Sequence, residues 1–554
     1  MEKITLILND FLFNSGILGF YRILQRVNKL DLVEIKGNAI TIQKKAIEDF
    51  TQDYFTAMLD TYESETRWKR LINQKEQLRK LNIEEKQDIE KLDKLLKDIK
   101  AAIESNSYKA GYEIAISKGI LENPFEYLSK IQNTKETTEK IEWIFKILDY
   151  LEDNREIYCM KDIIYNKINV FWNNVSFLNR QSNKNDIKEE YQKSFVNPVL
   201  IYLEKQKKSD YTCIECGAEV SKSDTSTMSW LNDVGVDYKK KNSIYWNFKE
   251  NSFICPICNL IYSCIPLGFN MLGSNGLFVN ENSSIEMLVE QNNQIQIGIE
   301  RNKEGFDNIY QKLFYNILNR LNQQTNQNYS KYEVNNIQVI KRDCTNKENP
   351  KYEFNLISKD KLFIFEKTQK QFENLLNKKI KINDRNISIY GEVLNNFLTN
   401  IKQYALLNQL LLKEINDNIH LEYIGDIIKI QVYCIGGEKV NELKDYVNEM
   451  KEAGEKLKKY FYANKENMNK LSTYRYRLGS ALKINNIENF MEIFTRFYGG
   501  MGLGMPSTKA VTEMMANSES FRILGYAYVY GLGKLPDETQ EVKQEIEGGL
   551  EDEE

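Results

Sequence analysis

The chain has 554 residues, 42% of them hydrophobic and 12% aromatic, which is enough for two to four domains with sizeable cores and too apolar for a disordered protein. Its formal net charge is −4 and it contains one histidine, which excludes histidine-cluster metal hydrolases and any acid–base pair made of two imidazoles. Eight cysteines spread over this length exclude a disulfide scaffold.

The charge is unevenly placed. Residues Asp537 to Glu554 carry nine acidic groups and one lysine, so the body without them is +4. The tail reads as disordered, and local basic patches on the body matter more than the total.

In chain order, Ile4 to Leu8 reads as a short strand. Asp10 interrupts the apolar run and no small-residue cleavage site follows, so it is not a signal peptide. Phe11, Phe13, Ile17, Leu18, Phe20, Tyr21 and Leu24 predict a broken amphipathic helix, with a turn at Gly16 and Gly19. Leu32 to Ile35 and Ile40 to Ile42 flank Gly37-Asn38 as a hairpin. Ile47 to Lys100 predicts mostly helix, its lysines matched by carboxylates as on a solvated face. Lys135 to Val170 is helical again.

Phe171 to Leu178 is β-rich and aromatic and leads into a polar loop. Asn179, Arg180, Gln181, Asn183 and Lys184 in that loop offer the amide and guanidinium groups that read base edges, although a loop of this kind in an Asn-rich chain is often only a loop.

Two Cys-x-x-Cys pairs follow, Cys213/Cys216 and Cys255/Cys258, with 38 residues between them. Two residues between thiolates let one tight turn present both sulfurs to one ion, and two such turns close a tetrahedral zinc shell. Gly217 and Asn259, each just after a pair, are expected to take the left-handed conformation such turns use. The separation is about twice the ~15–20 residues of a compact ribbon, so the site is expected to clip the base of an excursion from Ala218 to Ile254. A closed four-thiolate Zn²⁺ site is structural and leaves no position open for substrate. It also carries a net charge of −2, so any phosphate contact in this segment must come from Lys205, Lys207, Lys208, Lys222, Lys239, Lys240, Lys241 or Lys249.

Gly273, Ser274 and Asn275 form a short glycine-rich loop between apolar runs, where backbone could approach a ligand closely or simply turn. Asn251 to Asn280 is uncharged, but its prolines, glycines and metal ligands make it core and not a membrane span. The expected location is therefore cytoplasmic. Cys159, Cys264, Cys344 and Cys434 read as buried thiols, with Cys264 a remote possibility as a spare ligand.

Ser284 to Phe397 mixes strand-like runs at Ile295–Ile299, Lys361–Glu366 and Ile387–Tyr390 with a helix near Tyr310–Leu321. From Val393 the chain turns helical, apart from an alternating stretch at Ile424–Tyr433. Helices near Val440–Tyr462, Ile487–Tyr498, Ser507–Ala516 and Phe521–Tyr530 predict a bundle. Within it, Tyr474, Arg475 and Arg477 belong to an alternating Tyr-Arg run that could stack bases and pair phosphates, or snorkel at the bundle surface. His420 sits among apolar residues and reads as a packing group, and no phosphate-binding loop motif is present.

The expected fold class is α+β, predominantly helical. Residues 1–204 form an N-terminal α+β/helical domain, 205–270 a zinc-binding insertion, 271–391 a mixed continuation, 392–536 a helical bundle and 537–554 an acidic tail. The chemistry favours a binding subunit over an enzyme. A carboxylate-dependent nuclease with a zinc staple, or a protein-only scaffold, are the alternatives.

Taken together, Asn14-Ser15-Gly16-Ile17-Leu18-Gly19-Phe20, the Phe171-Trp172 run, both Cys pairs and Pro266-Leu267-Gly268-Phe269 make the chain resemble the large subunit of type I-B CRISPR effector complexes (Cascade), in the branch with paired Cys-x-x-Cys motifs. The resemblance implies a non-catalytic subunit of a crRNA-guided complex. Its N-terminal part would read the protospacer-adjacent motif (PAM) on target double-stranded DNA, and its C-terminal bundle would hold the displaced single strand. Its partners would be the crRNA, the backbone, handle-binding and small subunits, and a recruited helicase-nuclease.

Overall fold

The computed structural model describes residues 3–80, 86–205, 210–233, 252–301, 315–316, 318–319, 337–343, 351–382, 385–417, 419–463, 468–501 and 505–533. The chain divides into two compact units, residues 1–309 with 336–354, and residues 310–335 with 355–554. Helices dominate both, with short antiparallel sheets, so the fold is α+β and mostly helical.

The first unit opens with β1 (Lys3–Ile7), α1 (Phe11–Arg26), β2 (Val33–Lys36) and β3 (Ala39–Gln43). Then come α2 (Lys45–Glu48), α3 (Phe50–Tyr62), α4 (Arg67–Leu78), α5 (Lys86–Ile103), α6 (Asn106–Ser117), α7 (Pro124–Asn133), α8 (Thr137–Asp153) and α9 (Arg155–Ile163). After α10 (Ile187–Tyr191) and α11 (Asn197–Glu204) lie the four-cysteine segment with β4 (Tyr211–Thr212) and β5 (Glu219–Val220), then α12 (Pro256–Ser263) and α13 (Ile265–Gly268). The unit closes with β6 (Asn270–Leu272), β7 (Asn275–Asn280), α14 (Ile285–Arg301), β8 (Ile337–Asp343) and β9 (Lys351–Ile357), whose last residues pass into the second unit.

Helix α1 is the axis of this unit, and it is not broken. Asp10 caps it, accepting from the backbone N–H of Leu12 and Phe13 at 2.7 and 3.1 Å. Gly16 and Gly19, expected at a turn, instead let α1 lie against α12 and α13. A Cβ on Gly16 would sit 2.6 Å from the Ile261 carbonyl oxygen. Every residue of α12 and α13 is buried. Arg22, one turn on, donates to the carbonyls of Leu267 and Gly268 at 2.9 and 3.2 Å and to Asn270 Oδ1 at 3.0 Å. Burial lowers this guanidinium to about 10.

β2 and β3 form the expected hairpin around Gly37, whose φ is +59°, and β1 pairs with β3. The four-stranded sheet runs β6-β7-β8-β9, and its β7–β8 register sets Gly276 opposite Arg342. The Phe171–Leu178 run, read as β-rich, makes a single bridge from Trp172 to Leu231 and a one-turn 3₁₀ helix at Ser176–Leu178. Positive φ at Asn174 and Ser176 ends the extended backbone, and Trp172 is buried against Phe177, Phe195 and Trp230. The strand expected at Ile295–Ile299 is part of α14, which Ser284 caps through the Met287 N–H.

In the second unit two more strand expectations become helix. Lys361–Glu366 lies in the helix Lys359–Leu375, where Leu362, Phe365, Phe372 and Leu375 are buried at three- and seven-residue spacings. Ile424–Tyr433 lies in the helix Tyr423–Gly436, buried on Ile424, Ile427, Ile428 and Gln431. Over so few residues, an apolar run that alternates by chance satisfies both periods. Ile387 belongs to a two-stranded hairpin, Lys379–Ile382 with Arg385–Ser388, and the helix Ile389–Leu398 starts before Tyr390.

The expected bundle helices are present at Val440–Ala463, Ile487–Met501, Thr508–Ala516 and Ser518–Gly531. The first and last approach closely enough that a Cβ on Gly531 would meet the Lys451 carbonyl oxygen at 2.1 Å. The helix expected near Tyr310–Leu321 lies largely outside the described residues, and the acidic tail lies wholly outside them.

Candidate metal centre and a cation-lined cleft

Two local structures bring the four cysteines together. The first is the β4–β5 hairpin, where Tyr211 pairs with Val220 and Thr212 with Glu219. At its turn the Cys213 N–H donates to Ala218 O at 2.8 Å and the Gly217 N–H to Cys213 O at 3.0 Å, with Gly217 at φ +68° as expected. The second is the start of α12. Cys255 is its N-cap and accepts from the Cys258 N–H at 3.4 Å, with Pro256 in the first turn. Asn259, expected to be left-handed, is an ordinary helical residue because the second pair opens a helix. Its N–H donates to Cys255 O at 3.0 Å and its Oδ1 accepts from Trp230 Nε1 at 3.1 Å.

The hairpin and the helix are joined directly. Ile214 N–H donates to Phe253 O at 3.0 Å, and Cys255 N–H donates to Cys213 Sγ at 3.3 Å. All four sulfurs lie within 4.8 Å of one another, and Cys216 and Cys255 are 3.7 Å apart. Zn–S bonds of about 2.3 Å at tetrahedral angles require sulfurs ~3.8 Å apart, so the donor set fits one metal ion. Hydrogen bonding from Cys216 drives the Cys213 thiol down, and hydrogen bonding to Cys213 drives Cys258 up. A cation at the centre is what lets all four carry charge, and the N-terminus of α12 adds positive potential there.

Of the excursion expected from Ala218 to Ile254, residues 234–251 lie outside the described residues. Ser226 and Ile254 bridge at its base, and Trp230 packs into the core against Trp172 and Phe195. Lys205 pairs with Asp224 at 2.8 Å, and Lys222 is described. Lys207, Lys208, Lys239, Lys240, Lys241 and Lys249 lie outside the described residues. Cys264 is buried apart from the cluster, its Sγ 3.4 Å from Leu260 O, and is not a ligand. Burial pushes Cys159 up to about 12 and Cys434 up to about 11, as for inert thiols.

A second site was not legible in the sequence. Arg67 and Arg70 of α4, Lys167, and Arg342 of β8 line a cleft of about 640 Å³ together with Glu65 and Asp233. Gly273 and Ser274, the tip of the β6–β7 hairpin, form part of its wall. Lys167 Nζ donates to Gly273 O at 2.8 Å and pairs with Glu65. The four cations come from three elements far apart in sequence, so no motif announced them.

The expected loop residues are elsewhere. None of Asn179, Arg180, Gln181, Asn183 or Lys184 lines the cleft. Arg180 and Gln181 are exposed, Lys184 is 3.4 Å from Glu113, and Asn179 Oδ1 accepts from the Gln181 N–H at 3.0 Å. Asn183 O accepts from the buried Lys161 Nζ at 2.7 Å. Asn275 is half-buried and pairs with Leu272 at the hairpin.

In the second unit, Tyr474 and Arg475 are interior residues, a correction to their expected role as surface contacts. Tyr474 bonds Tyr528 through their hydroxyls at 3.0 Å. Arg475 pairs with Glu414, which is fully buried and also lies 2.8 Å from His420 Nδ1. The reason is helical period. Leu471, Tyr474, Arg475 and Leu478 share the inward face of the helix Met468–Lys483, leaving Tyr476 and Arg477 exposed.

Among the described residues no helix is long and apolar enough to cross a membrane. No curated protein and no solved structure matches the chain. A family model described as CRISPR-associated protein (Cas_CXXC_CXXC) matches residues 206–270, so over the segment that gathers the four sulfurs this chain is similar to a CRISPR-associated family with paired Cys-x-x-Cys motifs.

Proposed function

We propose that the protein is the non-catalytic large subunit of a crRNA-guided type I-B CRISPR surveillance complex. In this reading it recognises the PAM on target duplex DNA and stabilises the R-loop from which a helicase-nuclease is recruited. The observation that carries the reading is the family match over the stretch whose cysteines converge on one point. Guide pairing supplies sequence specificity in such complexes, so the protein needs only a short-motif contact and a hold on the strands.

The metal is zinc, and its role is structural. Cys213, Cys216, Cys255 and Cys258 would hold it, pinning the hairpin to α12. The DNA-probing surface comprises the hairpin tip at Gly273–Asn275 and the exposed loop side chains of Arg180 and Lys184. Arg477, on the outer face of its helix, contacts the displaced strand. The non-catalytic assignment is supported by composition and by geometry. The one imidazole is engaged with Glu414, its Nδ1 2.8 Å from a carboxylate oxygen.

The test is reconstitution of a guide-loaded complex with and without this chain. Motif-dependent binding of a matched duplex that requires the chain is the expected result. Magnesium-dependent cleavage by the isolated chain would instead support the nuclease.

A further inference from the structure

We propose that the cation-lined cleft is a phosphodiester-binding site in which Asp233 occupies Arg342 until a backbone phosphate replaces it. The inference rests on the reading above, that the partner is a nucleic acid, and names where and how its backbone is held.

Four cations face two carboxylates in the lining, so the cleft is net positive. Its volume, about 640 Å³, lies within the ~300–1,000 Å³ of small-ligand sites. Arg70 stands exposed at the wall with no ion-pair partner among the described residues. Arg342 is buried below, its guanidinium 5.4 Å from the Phe171 ring centre and 5.5 Å from that of Tyr352. A planar guanidinium stacked in this way keeps its fork in one orientation, which suits an oxyanion.

Asp233 supplies that oxyanion. Its carboxylate accepts from Arg342 Nη2 at 2.7 Å, and its side chain is more exposed than the arginine it covers, 27% against 3%. The backbone delivers it deliberately. Asn232 N–H donates to Phe171 O at 2.8 Å, its Nδ2 donates to Asn169 O at 2.7 Å, and Asp233 itself takes φ +64°. Asp233 therefore stands at the mouth of the cleft on the excursion that the metal centre clips. A phosphate offers an oxyanion in the same place; Asp162 neutralises Arg67 at 3.2 Å, and the unneutralised charge of Arg70 at the wall favours the exchange.

A merely structural ion pair, there only to neutralise Arg342, makes the opposite prediction for Asp233. The experiment measures binding of the full-length, metal-loaded chain to duplex DNA, single-stranded DNA and single-stranded RNA of one length, across a salt series. Arg70→Ala is expected to weaken binding roughly threefold to tenfold and to reduce the salt slope by about one, with an unchanged melting temperature. Asp233→Asn is expected to tighten binding roughly threefold. The strand type most affected identifies the source of the phosphate.

If the parent chain binds with a salt-dependent affinity but neither variant moves it, the cleft assignment falls and the functional reading stands. If no nucleic acid binds in any arm, both fall. If Asp233→Asn fails to fold, the exposed Arg70 decides alone, and an unchanged slope there overturns the proposal.

Discussion

Gly19 of α1 faces the backbone of Cys264 with no room between them: a Cβ built on Gly19 would lie 2.0 Å from the Cys264 carbonyl oxygen. Backbone cannot yield as a flexible side chain does. Gly19→Ala is therefore expected to cost on the order of 3 kcal/mol through overpacking. Gly268→Ala, whose Cβ would come 1.8 Å from Ser15 O, should behave alike. Gly37→Ala has open space and only a φ of +59° to accommodate, so it should cost about 1 kcal/mol. Urea midpoints of the three variants test the order.

Elemental analysis should find one metal ion per chain, and zinc in particular. Cys213→Ser or Cys255→Ser should abolish it. Because the metal joins β4–β5 to α12, a strong chelator should raise amide exchange across residues 210–231 and 252–264 well before the second unit responds. Retention of full protection after metal loss would show that packing alone holds the clip.

Glu414 is wholly buried between Arg475 and His420 and also accepts from the Leu421 N–H at 3.1 Å. Glu414→Ala leaves a buried guanidinium without its counter-charge, and a loss of about 3–5 kcal/mol is expected. Denaturant unfolding followed in the second unit would measure it, and a loss under about 1 kcal/mol would mean that water or another group reaches Arg475.

Lys161 is 1% exposed and burial lowers it to about 8. From its ordinary 10.5, that disfavours the folded protein by about 3 kcal/mol wherever both states are charged. Below pH 8 the penalty is fully present. Between about pH 8 and 10.5 the unfolded chain binds the extra proton, so this group's contribution makes stability rise with pH. Lys161→Met should flatten that rise, raise stability at pH 7, and release the loop at Asn183 that the ammonium tethers. Unfolding midpoints from pH 7 to 10 check the sign.

Tyr474 and Arg477 should separate stability from binding. Tyr474→Ala empties a core position against Phe497, whose ring centre is 4.1 Å away, and should cost about 3–4 kcal/mol. Arg477→Ala should leave the unfolding midpoint within about 0.5 kcal/mol. If the helical unit holds the displaced strand, it should also shorten R-loop lifetime in the assembled complex.

The sequence alone determined the four-cysteine cluster, because the spacing of two thiolates around one tight turn is local chemistry that survives any fold. It also determined the β2–β3 hairpin and the helices from Val440 onward, each decided within a few neighbouring residues. Only the tertiary structure decided that Gly16 and Gly19 are contact points and not a break, since their meaning lies in a helix met more than 240 residues later. The same holds for Tyr474 and Arg475, whose composition suits a nucleic-acid surface and whose helical phase buries them. It holds most for the cleft, where Arg67, Arg70, Lys167 and Arg342 meet only after α4, the turn following α9 and strand β8 have packed. Charge is read along the chain one residue at a time, but an electrostatic site is a property of positions in space, and packing alone sets those.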